Sequence, residues 1–189
     1  MNAPNSQTNF IEIYDNALTE SECDYLISLF EKSPQSKGGF YLDGQYTIQE
    51  STKKCDELQI NFSNNSKFSE VVYPCLCQCI SKYKKTHQEI DYISHWSLEN
   101  NCIIQKYESC EDGYKQWHCE HGLSHNSYRV LAWTIYLNDA EGTEFYKFGK
   151  FGGVKGSCAI WPAGWTHLHR SAPNKGLKYI ITGLSLIHI

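Results

Sequence analysis

The chain has 189 residues, 41% hydrophobic and 20% charged, which suits one soluble globular domain with a buried core and leaves little room for two. Its net charge is -4, and of its 17 basic residues only Arg129 and Arg170 are arginine, so a grip on nucleic acid is not expected. No apolar run approaches the ~20 residues needed to span a bilayer.

Met1 to Asn9 is polar and lacks the apolar core of a signal peptide, and the first ten residues read as a disordered or loosely docked tail. With nine cysteines, an odd count, this points to a reducing, cytoplasmic setting with mostly free thiols. Phe10–Tyr14 alternates apolar and polar residues and predicts a strand closed by Asp15-Asn16. Thr19 stands where a helix N-cap belongs, and Glu22 three residues later completes a capping box. Leu18, Cys23, Leu26, Ile27 and Phe30 follow at helical spacing until Pro34.

Gly38–Gly44 is turn-rich and predicts the start of a strand or a mobile lid over a cleft. A second helix is expected over Lys67–Lys85, with Phe68, Val71, Val72, Leu76, Cys79, Ile80 and Tyr83 on one face, and with Pro74 kinking it or marking its true start. Cys75, Cys77 and Cys79 do not have zinc spacing, and a helix scatters them around its axis, so they read as free thiols. From Tyr92 the pattern changes to short runs, Cys102–Tyr107, Val130–Leu137, Cys158–Trp161 and Lys178–Leu186, separated by Gly, Asn, Asp and Pro. The expected architecture is one domain over 1–189, with helical support and strands in 1–90 and a β-sandwich core in 91–189. Trp133, Trp161 and Trp165 read as core or rim aromatics.

The densest chemistry is Trp117-His118-Cys119-Glu120-His121. On a strand, residues two apart share a face, so His118 and Glu120 can reach one point while Cys119 turns away to pack. Two imidazoles and one carboxylate form a facial triad that suits iron(II) and leaves positions open for further ligands. The second imidazole must come from elsewhere, and His167 and His169, two apart, both qualify. His121 and His125 read as solvent-facing loop residues. A lone His-x-Glu is unspecific.

The segment from Trp161 to Thr182 adds specificity. It carries His169, Pro173 four positions on and Lys178 nine positions on, followed by Tyr179 and Thr182. With Tyr107 upstream, with Arg129–Asn138 (RVLAWTIYLN) and with Gly142-Thr143-Glu144-Phe145, this resembles the prolyl 4-hydroxylase-like branch of the Fe(II)- and 2-oxoglutarate-dependent dioxygenases. The likeness extends to the N-terminal strand and helix and is densest over 102–187. Glu120 departs from the usual aspartate, and its extra methylene changes the reach of the carboxylate. Lys178 takes the place of arginine, yet one compact charge still suits a carboxylate partner.

The resemblance implies a mainly β fold with N-terminal helices and a double-stranded β-helix (jelly-roll, cupin-like) core. It assigns the metal to His118, Glu120 and His169, and the distal carboxylate of 2-oxoglutarate to Lys178 with Tyr107, Tyr136 and Thr182. It implies Fe(II), 2-oxoglutarate and O2, with ascorbate as a candidate reductant. The implied reaction is hydroxylation of a prolyl residue in a peptide or protein substrate, releasing succinate and CO2, with a small-molecule substrate as the alternative. The rival readings are a non-catalytic β-sandwich serving as a binding module and a zinc-binding cupin-like protein.

Overall fold

The computed structural model describes residues 9–42, 44–122 and 126–187. Asn9 and Phe10, expected in a loose tail, are held in place: the Asn9 carbonyl accepts a hydrogen bond from His167 and the Phe10 carbonyl one from Tyr83. β1 (Glu12–Tyr14) ends in a turn where Asn16 adopts a positive φ, a conformation asparagine tolerates. α1 (Glu20–Lys32) starts at the expected capping box, in which the Glu22 amide donates to the Thr19 hydroxyl while the Thr19 amide donates to the Glu22 carboxylate.

The Gly38–Gly44 region supplies β3 (Phe40–Leu42), which forms a hairpin with β4 (Gln45–Thr47), while β2 (Ser36–Lys37) lies just before it. β5 (Lys53–Lys54) and β6 (Asp56–Asn61) follow, both in a stretch where the sequence pattern predicted no strand. α2 (Ser66–Thr86) runs one residue past each expected end and continues through Pro74, so the proline does not mark its start. Pro74 and Glu70, whose carbonyl loses its usual partner, both lie on the exposed side, where water serves in its place.

Then come β7 (Trp96–Tyr107), β8 (Gly113–Tyr114), β9 (Arg129–Tyr136), β10 (Thr143–Phe145), β11 (Gly149–Phe151), β12 (Cys158–Pro162), β13 (His169–Ser171) and β14 (Lys178–Ile187). Among the described residues a seven-stranded sheet has the order β1-β12-β9-β14-β7-β6-β2, and a three-stranded sheet has the order β11-β10-β13. The strand pairings are antiparallel, and the fold is mainly β with a jelly-roll core and N-terminal helices. The larger sheet takes in β1, β2 and β6 from the first 90 residues as well as the later strands.

The period of two along each central strand divides the core into two layers. Leu131, Trp133 and Ile135 of β9, Cys158 and Ile160 of β12, and Tyr179 and Ile181 of β14 meet Leu26 and Phe30 of α1 and Phe68, Val72, Leu76 and Cys79 of α2. The alternate residues Ala132, Tyr136, Ala159, Trp161 and Ile180 form a second cluster with Tyr107, Phe145 and Cys55 on the opposite face. Gly183 of β14 leaves room for the Trp133 indole, which a Cβ there would strike. Six of the nine cysteines are buried, five of them (Cys23, Cys75, Cys79, Cys102 and Cys158) in the helix-facing layer, whereas Cys77 and Cys110 are exposed. Among the described residues no helix is long and apolar enough to cross a membrane.

Candidate metal centre

The inner face of the larger sheet looks toward β10 and β13. β13 pairs with β10 so that His169 lies beside Phe145 and Ser171 beside Thr143, and His169 and Ser171 share the inward face. His118 and Glu120 do not sit in a regular strand, as the spacing had predicted. His118 instead makes an isolated antiparallel bridge with His169, exchanging both backbone hydrogen bonds at 2.9 and 3.0 Å. The Glu120 amide donates to the Ala163 carbonyl at 2.9 Å, which keeps the segment extended without a full ladder. Both side chains still converge, because extended backbone is enough to give alternate residues one face.

His118, Glu120 and His169 offer donor atoms that all lie within 4.8 Å of one another. His169 Nε2 is 3.5 Å from Glu120 Oε1, and the two imidazole centroids are 4.4 Å apart. His118 Nδ1 donates to the Gln116 carbonyl at 3.0 Å and His169 Nδ1 to the His167 carbonyl at 2.9 Å. A carbonyl can only accept, so each Nδ1 carries the proton and each Nε2 keeps a lone pair for a cation. Burial, reinforced by the neighbouring His169, lowers the His118 pKa to about 4, which keeps that ring neutral at physiological pH. Burial also opposes the Glu120 charge, but the neighbouring His169 and His118 rings and the Arg129 guanidinium outweigh it and hold the carboxyl down at about 2. The Glu120 side chain is 23% exposed, so the donor set opens on one side, unlike a closed structural zinc site with four protein ligands.

His167 is not on a strand with His169 but in a 3-10 turn, Trp165–His167. Its Nε2 donates to the Asn9 carbonyl and its Nδ1 meets the Thr166 hydroxyl, so neither nitrogen is free for the triad. His121, expected to face solvent, is half-buried and donates to the Arg129 carbonyl at 2.8 Å. His125 lies outside the described residues. The Cys119 thiol donates to the His121 carbonyl at 3.2 Å. Cys75 and Cys79 are buried and Cys77 is exposed, the scatter a helix imposes. Trp133 and Trp161 are core residues, the latter against His169 with ring centroids 5.0 Å apart, whereas Trp165 is 73% exposed.

Lys178 is 2% exposed on the inner face of β14. Its Nζ donates to the Gly142 carbonyl at 3.1 Å and lies 5.6 and 5.8 Å from the ring centres of Tyr107 and Tyr136. No carboxylate pairs with it among the described residues, and burial depresses its pKa to about 8, against a weaker pull from Glu141. The Tyr136 hydroxyl is bonded to Thr143 at 2.8 Å. Thr182 shares the Lys178 face of the strand, but its hydroxyl donates to the Trp133 carbonyl at 3.1 Å within the sheet. The Tyr107 hydroxyl donates to Gln105 at 2.7 Å and also lies within hydrogen-bond reach of Ser171. Its pKa is raised well above the usual phenol value by burial.

Several residues at the site escaped the sequence reading. Tyr114 stacks on His118 with ring centroids 3.7 Å apart. Lys53 and Glu57 form a buried ion pair at 2.5 Å, and Gln105 donates to Glu57 at 2.8 Å, linking that pair to Tyr107. Arg129 bonds to Glu120. Only Arg129 had a visible signal, as one of two arginines and close in sequence to the candidate metal ligands His118 and Glu120.

No protein-family model matches the chain, and no curated protein sequence matches it. Solved structures do. A viral collagen prolyl hydroxylase from Paramecium bursaria Chlorella virus-1, in a 2OG complex, superposes with a TM-score of 0.66 at 14% identity, over 95% of this chain and 97% of that one. A prolyl hydroxylase from Trichoplax adhaerens, in complex with a hypoxia inducible factor oxygen degradation domain peptide fragment, gives 0.71 at 16%, over 95% of this chain and 84% of that one. A Pseudomonas putida prolyl-4-hydroxylase gives 0.69 at 12%, over 96% and 95%. At such identities the likeness establishes the fold, shared across nearly the whole chain.

Proposed function

We propose that the chain is an Fe(II)- and 2-oxoglutarate-dependent dioxygenase that hydroxylates its substrate, with a prolyl residue in a peptide or protein as the leading target. One observation carries this reading. The inner side of the jelly roll holds both an open His-Glu-His donor set and a buried lysine without a carboxylate partner. A buried ammonium lacking a counter-charge costs several kcal/mol, and an incoming carboxylate removes that cost. A dicarboxylic keto acid meets both needs, with one end for the metal and the other for Lys178.

In this reading His118 Nε2, His169 Nε2 and a Glu120 oxygen hold the iron and leave coordination positions free. Iron, 2-oxoglutarate and dioxygen together supply the oxidising power, with succinate and CO2 released. Lys178 binds the distal carboxylate with the phenols of Tyr107 and Tyr136 beside it. Tyr136 would share its hydroxyl between Thr143 and that carboxylate, and Thr182 lines the same strand face. Trp161, Phe145 and Tyr114 hem in the imidazoles and exclude water from them. The Gln116 and His167 carbonyls hold both rings in the tautomer that presents Nε2. The peptide target is supported by the similar folds of prolyl hydroxylases, one of them bound to a peptide fragment, and by the acidic charge and scarcity of arginine, which disfavour nucleic acid.

Anaerobic addition of Fe(II) and then 2-oxoglutarate tests the site through the visible metal-to-ligand charge-transfer band. Wild type and His167→Ala are expected to develop it, His169→Ala to lack it and Lys178→Ala to need more 2-oxoglutarate. Gain of one oxygen atom by proline-containing peptides, read by mass spectrometry, tests the substrate. Tight zinc retention with no response to 2-oxoglutarate would favour the cupin-like alternative, and no metal binding at all would favour a binding module.

A further inference from the structure

We propose that Arg129 is a positioning residue that adapts a glutamate, instead of the shorter aspartate, to the carboxylate position of the metal centre. The inference rests on the metal-binding reading of His118, Glu120 and His169. It explains how the extra methylene of Glu120 is accommodated.

A glutamate side chain has one more rotatable bond than an aspartate. Left free, it spreads its carboxylate over more positions, and fixing it costs more conformational entropy. Arg129, at the start of β9, removes that freedom. Its Nη1 donates to the Glu120 backbone carbonyl at 2.8 Å and to Glu120 Oε2 at 3.3 Å. One nitrogen therefore grips both ends of the same residue and folds the side chain back on its own backbone. That shortens the effective reach of the glutamate.

The grip is anchored. The Glu120 amide is tied to the Ala163 carbonyl at 2.9 Å, so the main chain is held on its other side. Arg129 is fixed in turn, because its carbonyl accepts the His121 Nε2 proton at 2.8 Å and its backbone is in register with Leu186 of β14. With Oε2 committed to the guanidinium, Oε1 is the oxygen left facing His169 Nε2 at 3.5 Å. The arrangement presents a single, pre-aimed oxygen to a cation. His121, between the ligand segment and Arg129, belongs to the same brace.

Binding of Co(II) to the purified full chain, followed by its visible d–d absorption without cosubstrate or turnover, tests the proposal. Arg129→Leu is expected to weaken Co(II) binding on the order of ten- to a hundredfold, the usual effect of losing a group that orients a metal ligand. Its absorption envelope should change shape as the freed carboxylate changes its binding mode. Arg129→Lys, which can still donate to both acceptors, should recover most of the affinity and the wild-type spectrum. Glu120→Asp should weaken binding in the wild-type background, because the guanidinium would hold the shorter arm back. Should the leucine variant fail to fold, Arg129→Gln, which lacks the charge, carries the same expectation. Wild-type affinity and an unchanged spectrum in the folded leucine or glutamine variant would overturn the role given to Arg129 and leave the metal centre standing. A wild type that binds no Co(II) would overturn the metal centre itself, and this proposal with it.

Discussion

The face of the seven-stranded sheet that meets α1 and α2 is filled by apolar side chains and thiols, while the opposite face buries Lys178, Glu57 and Gln105 among Tyr107, Tyr136 and Trp161. The same strands supply both layers, residue by alternate residue. The helix-facing layer gains from every contact, since burying apolar surface stabilises at ~25 cal/mol per Å2. The inner layer holds charges that burial disfavours, and the proposed binding of a carboxylate beside Lys178 would offset part of that cost. A fold of this kind can separate stability from chemistry across the thickness of one sheet.

Substitutions on the two faces should therefore move different observables. The largest effect is expected from Trp133→Ala, which empties the centre of the helix-facing layer, where Trp133 is fully buried. Chemical denaturation should report a loss of ~3–5 kcal/mol, with metal affinity unchanged under conditions where the variant is folded. A large loss of metal affinity in the folded variant would break the separation.

Lys178→Met should act in the opposite sense. The depression of the Lys178 pKa from 10.5 to about 8 corresponds to roughly 3 kcal/mol of burial cost. Methionine of similar length avoids that cost, so the variant should gain ~1–3 kcal/mol in stability without cosubstrate while losing response to 2-oxoglutarate. The pH dependence sharpens the point. Below about 8 the folded and unfolded states both carry the proton and the cost is fully present. Between about 8 and 10.5 the unfolded chain holds a proton that the folded state has released, so wild-type stability should rise with pH across that window. Over the same window the affinity for 2-oxoglutarate should fall, because Lys178, proposed to pair with its distal carboxylate, loses its charge. Thermal melts and cosubstrate titrations from pH 7 to 10 would reveal the two opposed trends, and parallel trends would refute the assignment of Lys178.

The smallest effect is expected at the edge of the helix-facing layer. Thr19→Ala removes the hydroxyl that caps α1 and should cost about 1 kcal/mol in denaturant stability, with no effect on metal or cosubstrate binding.

The division between the faces also governs what could be read from the sequence. α1 was legible because Thr19 and Glu22 advertise its start and Leu26 and Phe30 its buried face. β9, β12 and β14 were legible because their helix-facing residues are apolar. β6 was not, because its inward residue is Glu57, a carboxylate that a hydrophobic pattern assigns to solvent. Lys53 hid β5 in the same way. The first half of β7 was masked by the polar run Glu99-Asn100-Asn101. The triad itself was legible, since His118 and Glu120 need only extended backbone to converge, but their bridge to His169 was not, because it depends on a partner about fifty positions away. Nor could spacing foretell that the Trp165–His167 turn would direct His167 to Asn9.

The uneven placement of the nine thiols makes the molecule a reporter of its own opening. Cys77 and Cys110 are exposed and meet a thiol reagent at once, whereas Cys23, Cys75, Cys79, Cys102 and Cys158 are sealed between the helices and the sheet. A labelling time course therefore separates into a fast phase set by the reagent and a slow phase set by detachment of the helical layer, which turns the protein's own cysteines into a clock for its opening.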